Sequence, residues 1–173
     1  MKKIYLIITV IIFSTTFIFS NSFGQSNWFW QNSFPQGNDL ESVKFISPMV
    51  GWAVGETGTI LKTSNGGINW ITQFSGTQVN LYAVSFANVN TGTVVGLGAI
   101  LRTTNGGTNW ISQSSGNWLS VSFIDENTGT VVGASGQIIR TTNGGTNWSS
   151  QSSGTSNNLS GVSFADANNG IAV

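Results

Sequence analysis

The 173-residue sequence contains no cysteine, no histidine and only two prolines. Without Cys there is no disulfide scaffold, thiolate metal site, lipidated N-terminal anchor or Cys nucleophile, and without His every triad built on imidazole is excluded. Charge is scarce too. Six basic and six acidic residues make up 7% of the chain, against roughly 25% in an average soluble protein, and they cancel. A formally neutral chain has no general attraction to nucleic acid or anionic membrane, so neither is an expected partner. The place of charge is taken by 22 Gly, 23 Ser, 19 Thr and 19 Asn. Glu, Lys and Pro, which accompany disorder, are few, whereas 7 Trp and 11 Phe supply aromatic area that can close a core.

At the N-terminus, Lys2 and Lys3 precede an apolar-leaning run from Ile4 to Phe19, followed by small and polar residues up to Gln25. This pattern predicts a secretory signal peptide over residues 1–24, with Ser22 and Gly24 at the two small positions before the cut. The run is shorter than the roughly 20 residues a bilayer-spanning helix needs, so no transmembrane segment is expected after cleavage. The expected product is exported to the periplasm, the cell surface or the medium. Its basic residues are Lys44, Lys62, Arg102 and Arg140, and its acids are Asp39, Glu41, Glu56, Asp125, Glu126 and Asp166, for a net charge of −2. With no disulfides, packing and backbone hydrogen bonds must hold it together.

The remainder of the chain is one unit repeated. Asn69-Trp70, Asn109-Trp110 and Asn147-Trp148 recur at separations of 40 and 38 residues, and Phe45, Phe86, Phe123 and Phe164 keep the same register. Each copy has an alternating segment ending at the Phe, a polar loop ending in Gly51, Gly92, Gly129 or Gly170, and a second apolar segment closing on a glycine turn. A third segment then carries Ile60-Leu61, Ile100-Leu101 or Ile138-Ile139 into an Asn-Gly-Gly turn, and a fourth starts at the Trp. Short segments rich in Val, Ile, Thr, Phe and Trp between Gly and Asn turns predict a four-stranded antiparallel meander, and helical periodicity is missing. Four strands in a unit of roughly 40 residues predict an all-β fold, a β-propeller blade.

The expected organisation is an isolated closing strand over 25–39, where Asn27-Trp28 and Gln31 match the start of a fourth strand, then blades over 40–80, 81–118 and 119–158. Residues 159–173 form the first half of a further blade. That is about 3.8 units, an open arc cut from a ring of about seven blades, with exposed apolar faces at its ends.

The Asn-Gly-Gly turns carry a motif. Thr63-Ser64-Asn65-Gly66-Gly67-Ile68-Asn69-Trp70 and its copies over 103–110 and 141–148 resemble the Asp-box, or BNR repeat, of sialidase-type propellers, with Asn in place of both the Asp and the final Thr. An Asn side chain can still accept backbone N–H bonds in the turn, the glycines permit positive φ, and the Trp packs beneath. Asn65, Gly67 and Trp70, Asn105, Gly107 and Trp110, and Asn143, Gly145 and Trp148 are therefore read as strand staples. The wider run from Gly51 to Gly67 is similar to the repeats of the photosystem II assembly and stability factor family. That resemblance implies an exported propeller, lumenal in photosynthetic hosts, acting as a non-catalytic scaffold for a protein client. It implies no cofactor. The family is also associated with basic surface residues facing a membrane-protein client, but a dense basic patch is not visible in this sequence.

The best lead for a binding surface is one slot. Lys62, Arg102 and Arg140 come directly after the third-strand aliphatic pair in successive units, one cation per blade, a row that could meet an acidic partner or cover neighbouring apolar surface. The alternative class is a carbohydrate-binding or sialidase-like propeller, with Trp52 and Trp118 as loop aromatics able to stack on sugar. Sialidase chemistry needs an arginine cluster, a Tyr–Glu nucleophile pair and an Asp acid, and after the signal segment this chain has only Arg102, Arg140 and Tyr82 toward it. Catalysis is not expected. Asp125-Glu126-Asn127-Thr128-Gly129 and Asp166-Ala167-Asn168-Asn169-Gly170 look like pieces of a calcium loop, but the glycine falls one place early and no distal Glu is present, so Asx turns and no metal are expected.

Overall fold

A computed structural model describes residues 37–173; the expected signal segment and most of the expected closing strand lie outside them. Three four-stranded antiparallel sheets and one two-stranded sheet succeed each other along the chain, each in simple meander order. The first blade comprises β1 (Leu40–Phe45), β2 (Gly51–Gly55), β3 (Ile60–Thr63) and β4 (Ile71–Gln73). The second comprises β5 (Leu81–Phe86), β6 (Gly92–Gly96), β7 (Ala99–Thr103) and β8 (Ile111–Ser114). The third comprises β9 (Trp118–Phe123), β10 (Gly129–Gly133), β11 (Ile138–Thr141) and β12 (Ser149–Gln151), and β13 (Val162–Phe164) pairs with β14 (Gly170–Ala172). This is a partial β-propeller.

Three details differ from the sequence reading. The fourth strands begin one residue after each Trp, which stays in the turn and packs edge-on against the Phe of its own blade's first strand, at 5.9 Å for Phe45–Trp70, 6.0 Å for Phe86–Trp110 and 6.2 Å for Phe123–Trp148. Trp118, placed at the end of the second unit by the sequence, opens β9 instead. First strands start earlier than the alternating Val and Phe suggest, because a register shift after Leu40, and again after Leu81, lets an additional residue pair with the last glycine of the second strand.

The Phe and Gly positions share one cause. Phe45 pairs with Gly51, Phe86 with Gly92, Phe123 with Gly129 and Phe164 with Gly170. In each pair the ring lies flat across the glycine, occupying the space a Cβ would need. The sheet thereby exchanges a side chain on the second strand for an aromatic cover from the first.

The second strands of the three complete blades are buried throughout, and the cores lie between blades. Trp52, Val54 and Ile60 of the first blade meet Leu81, Val84, Phe86, Val94, Ala99 and Leu101 of the second. Val95 and Ile100 meet Trp118, Val121, Val131 and Ile139 in the same way. Burying side chains such as these stabilises by about 1.5–3 kcal/mol each, so most of the hydrophobic energy belongs to blade stacking. The expected exposed end face is present: Leu40, Val43 and Phe45 are 50%, 60% and 41% exposed, while Leu81, Val84 and Phe86, in the same register with a blade before them, are 0%, 7% and 5% exposed.

Candidate functional site

The three Asn-Gly-Gly turns are copies in geometry as well as sequence. The Thr63 hydroxyl donates to Asn65 Oδ1 at 3.0 Å and accepts the Gly67 N–H at 2.9 Å, while Asn65 Oδ1 also accepts the Asn69 N–H at 2.9 Å. Thr103 with Asn105, and Thr141 with Asn143, repeat these bonds at the same distances. Each turn joins the third strand to the fourth and is closed by side-chain oxygens of Thr and Asn.

The second glycine of the turn does more than relax the backbone. Gly107 has φ +91° and Gly145 has φ +84°, and a Cβ at either position would collide with the carboxamide of Gln73 or Gln113, which arrives from the fourth strand of the preceding blade. Gln113 Nε2 donates to the Gly144 carbonyl at 3.1 Å. The turn is therefore also a socket for the neighbouring blade, a role the sequence did not reveal because Gln73 and Gln113 look like ordinary polar positions on an edge strand. The Gln73 carbonyl end and the Trp110 indole nitrogen both border the space a Cβ at Gly107 would take, and both atoms are buried without a hydrogen-bond partner.

Lys62, Arg102 and Arg140 do form a row, and each reaches forward by one blade. Lys62 Nζ donates to the Gly106 carbonyl at 2.9 Å and sits over the Trp52 ring. Arg102 donates to the Thr93 hydroxyl at 3.2 Å and to the Glu126 carbonyl of the third blade, with its guanidinium over Phe123. Arg140 donates to the Thr130 hydroxyl at 3.2 Å and to the Ala167 carbonyl at 2.6 Å, over Phe164. Burial lowers the Arg102 pKa from its ordinary value, with partial compensation from the Glu126 carboxylate. The heads are engaged at the blade interfaces; Arg102 is only 9% exposed, whereas Lys62 and Arg140 are half-buried and keep part of their surface toward solvent.

The residue opposite each cation explains its identity. Trp52 faces Lys62, Thr93 faces Arg102 and Thr130 faces Arg140 across the second and third strands. In the first blade the Trp52 ring itself stacks on Phe86 of the next, with centroids 3.6 Å apart and planes 12° from parallel. Where Thr replaces the Trp, the planar guanidinium takes over the stacking and uses the hydroxyl as a rest. Trp52 and Trp118 are thus strand residues, 0% and 4% exposed, rather than loop aromatics available to a sugar.

A third set of contacts was invisible in the sequence. Ser85 Oγ accepts the Phe123 N–H at 3.1 Å, Ser120 Oγ accepts the Val162 N–H at 3.1 Å and Ser122 Oγ accepts the Phe164 N–H at 3.3 Å. These serines, on first strands, satisfy backbone donors of the first strand in the next blade. The acidic loops behave as Asx turns. Asp125 Oδ1 accepts from Asn127 and Thr128, Asp166 Oδ1 from Asn168 and Asn169, and Asn88 Oδ1 does the same for Asn90 and Thr91. The backbone donors at Thr128 and Asn127 hold the Asp125 pKa below its usual value, and the Asn169 side chain and the Asn168 amide do so for Asp166. Between the second and third blades, the loops and turns form an open groove of about 880 Å³ lined by Arg102, Asn105, Asn109, Ile111, Glu126 and Asn143 among others.

The profile of the family described as photosynthesis system II assembly factor YCF48 matches residues 21–173. The chain belongs to this family. Among solved structures it is similar to a YCF48 bound to a D1 peptide, at TM-score 0.67 and 24% identity, covering 80% of this chain and 47% of that one. It is similar also to YCF48 from Cyanidioschyzon merolae, at TM-score 0.61 and 30% identity, covering 68% and 41% of the two chains. An ancestral GH74 enzyme shares the fold at TM-score 0.66 and 20% identity over 85% of this chain and 23% of its own. No curated protein matches. The chain thus spans about half or less of the length of the solved YCF48 structures it resembles.

Proposed function

We propose that this member of the YCF48 family is an exported, non-catalytic propeller that holds a protein client during assembly. The match to an assembly-factor family over residues 21–173 carries the reading. The relative solved with a D1 peptide supports a segment of polypeptide as the kind of client. Lys62, Arg102 and Arg140 are engaged between blades, and this reading assigns specificity to the rim loops and turns. In a photosynthetic host the client is a photosystem II subunit and the compartment the lumen; elsewhere the scaffold serves another exported or membrane protein. The pattern over residues 1–24 supports export, and the residues from 25 onward are assigned to a closing strand over 25–39 and the blades that begin at Leu40.

The decisive experiment uses the full-length protein, tagged and crosslinked in its native host, with crosslinked peptides identified by mass spectrometry. A reproducible protein client joined to the rim loops supports the scaffold. Retention on glycans or hydrolysis of them, with no protein client, overturns it. Titration with a labelled D1 peptide asks whether the client matches that of the solved relative, and N-terminal sequencing of the exported product is expected to begin at Gln25.

A further inference from the structure

Each blade turn contains an Asn-Gly pair: Asn65-Gly66, Asn105-Gly106 and Asn143-Gly144. Asn before Gly is the dipeptide most open to intramolecular deamidation, because no Cβ hinders attack by the glycine nitrogen on the preceding carboxamide. In that reaction the glycine amide gives up its proton and bonds to the Asn Cγ, the Cγ–Nδ2 bond breaks, ammonia leaves and a succinimide remains. Water opens the ring at one carbonyl to give Asp, or at the other to give isoaspartate, in which the main chain runs through Cγ.

We infer that these three pairs are latent modification sites, held closed by the native turn and released when the turn opens. The nucleophile is engaged in every copy. The Gly66 N–H donates to the Met49 carbonyl at 2.9 Å, the Gly106 N–H to the Asn90 carbonyl at 2.7 Å and the Gly144 N–H to the Asn127 carbonyl at 2.9 Å, each reaching the loop between the first two strands of its own blade. The electrophile is engaged as well, since Oδ1 of each Asn accepts both the threonine hydroxyl and the N–H four residues on. Swinging Cγ onto the glycine nitrogen breaks all three bonds together. Asn105 and Asn143 are solvent-exposed, so protection at those turns comes from hydrogen bonding rather than from exclusion of water. The products also differ in consequence. Asp keeps an acceptor oxygen where Oδ1 stood, whereas isoaspartate inserts a backbone carbon between the Thr103 hydroxyl and the Gly107 N–H and disrupts the join between β7 and β8. Isoaspartate at these turns therefore marks chains that have spent time unfolded.

The test incubates the full-length protein, folded and in denaturing guanidinium, in the same mildly alkaline buffer, and tracks each Asn-Gly peptide by mass spectrometry with isoaspartate-specific fragmentation. Deamidation at all three turns is expected to be at least about tenfold slower in the folded protein, as for a reaction that proceeds only from a locally opened state. Thr103→Val removes one restraint from Asn105. It is expected to accelerate deamidation at Asn105 alone in the folded protein, with Asn65 and Asn143 in the same molecules reporting that the other blades remain closed. Equal rates in folded and unfolded protein, or a Thr103→Val rate at Asn105 no higher than wild type, overturn the inference.

Discussion

Replacing Arg102 by Met tests whether the cation row is a set of clamps or a face for a partner. Met keeps an apolar stem of similar reach and removes the guanidinium. The variant loses the bond to the Thr93 hydroxyl, the bond to the Glu126 carbonyl and the cover over Phe123. Hydrogen bonds to charged groups contribute about 1.5–3 kcal/mol each and a cation over a ring about 0.5–1 kcal/mol. Against this stands the cost of burying the charge, the same cost that lowers the Arg102 pKa. The two leave a net loss of about 2–3 kcal/mol, in part because the fully buried Thr93 hydroxyl loses its partner. Arg140→Met, at the less covered third interface, is expected to cost about 1 kcal/mol. Urea unfolding of the full-length protein measures both, through a lower midpoint at unchanged slope. A double-mutant cycle with Phe123→Leu should return a positive coupling of about 0.5–1 kcal/mol. If Arg102→Met costs less than about 0.5 kcal/mol, as at an ordinary surface site, the clamp argument is wrong. If client capture is lost at unchanged stability, the row is a binding face after all.

The same geometry sets three further outcomes. Gly107→Ala sets a Cβ against the Gln73 carboxamide at φ +91° and should destabilise by about 1–2 kcal/mol, read as a drop in thermal midpoint; restoration by Gln73→Ala of more than the backbone share would show that the collision is with that side chain. Asn105→Ala deletes the acceptor for the Asn109 N–H and should cost about 1 kcal/mol, whereas Asn105→Asp, which keeps the acceptor, should be near neutral by the same assay. Asp125 and Asp166 have folded pKa values below the unfolded carboxylate value of about 3.9, so their contribution is fully present above that pH and is lost as pH falls through the folded values. Stability measured from neutral pH into acid should hold until about pH 4 and then decline. An Asp125→Asn, Asp166→Asn double variant should show a shallower decline, and an equal slope would assign the acid sensitivity to other carboxylates.

The repeat, the number of strands per unit and the staple turns were readable because each is local. A turn needing positive φ, a Thr and Asn closing it, and a Phe answering a Gly across one hairpin all leave their marks within a few tens of residues. The contacts between blades leave none of that kind. Ser85 and Ser122 occupy polar positions of alternating strands that a solvent-facing serine would fill equally well, and only the stacking of first strands turns their hydroxyls onto Phe123 and Phe164. The row at Lys62, Arg102 and Arg140 was legible as a row, but the direction of a long flexible side chain is set by what packs beside it. The clue available in sequence was the exchange of Trp52 for Thr93 and Thr130 opposite Lys and Arg, which has meaning only once the second and third strands are seen in register. Trp52 and Trp118 were misplaced for a related reason: flanking glycines made strand ends look like loops.

All of these inter-blade contacts have a direction. Lysine, arginine and glutamine from one blade donate or press into the next, and the serine of one first strand receives an amide from the next. A blade is thus a coupling with one outgoing face and one incoming face, and every interior blade carries both. The acceptor differs from one interface to the next: Lys62 uses the Gly106 carbonyl in the turn before a fourth strand, whereas Arg102 and Arg140 use the Glu126 and Ala167 carbonyls in loops between first and second strands. A blade moved to another place in the row keeps the direction of its contacts but must find new partners for its cation, so the order of the blades is written into their interfaces.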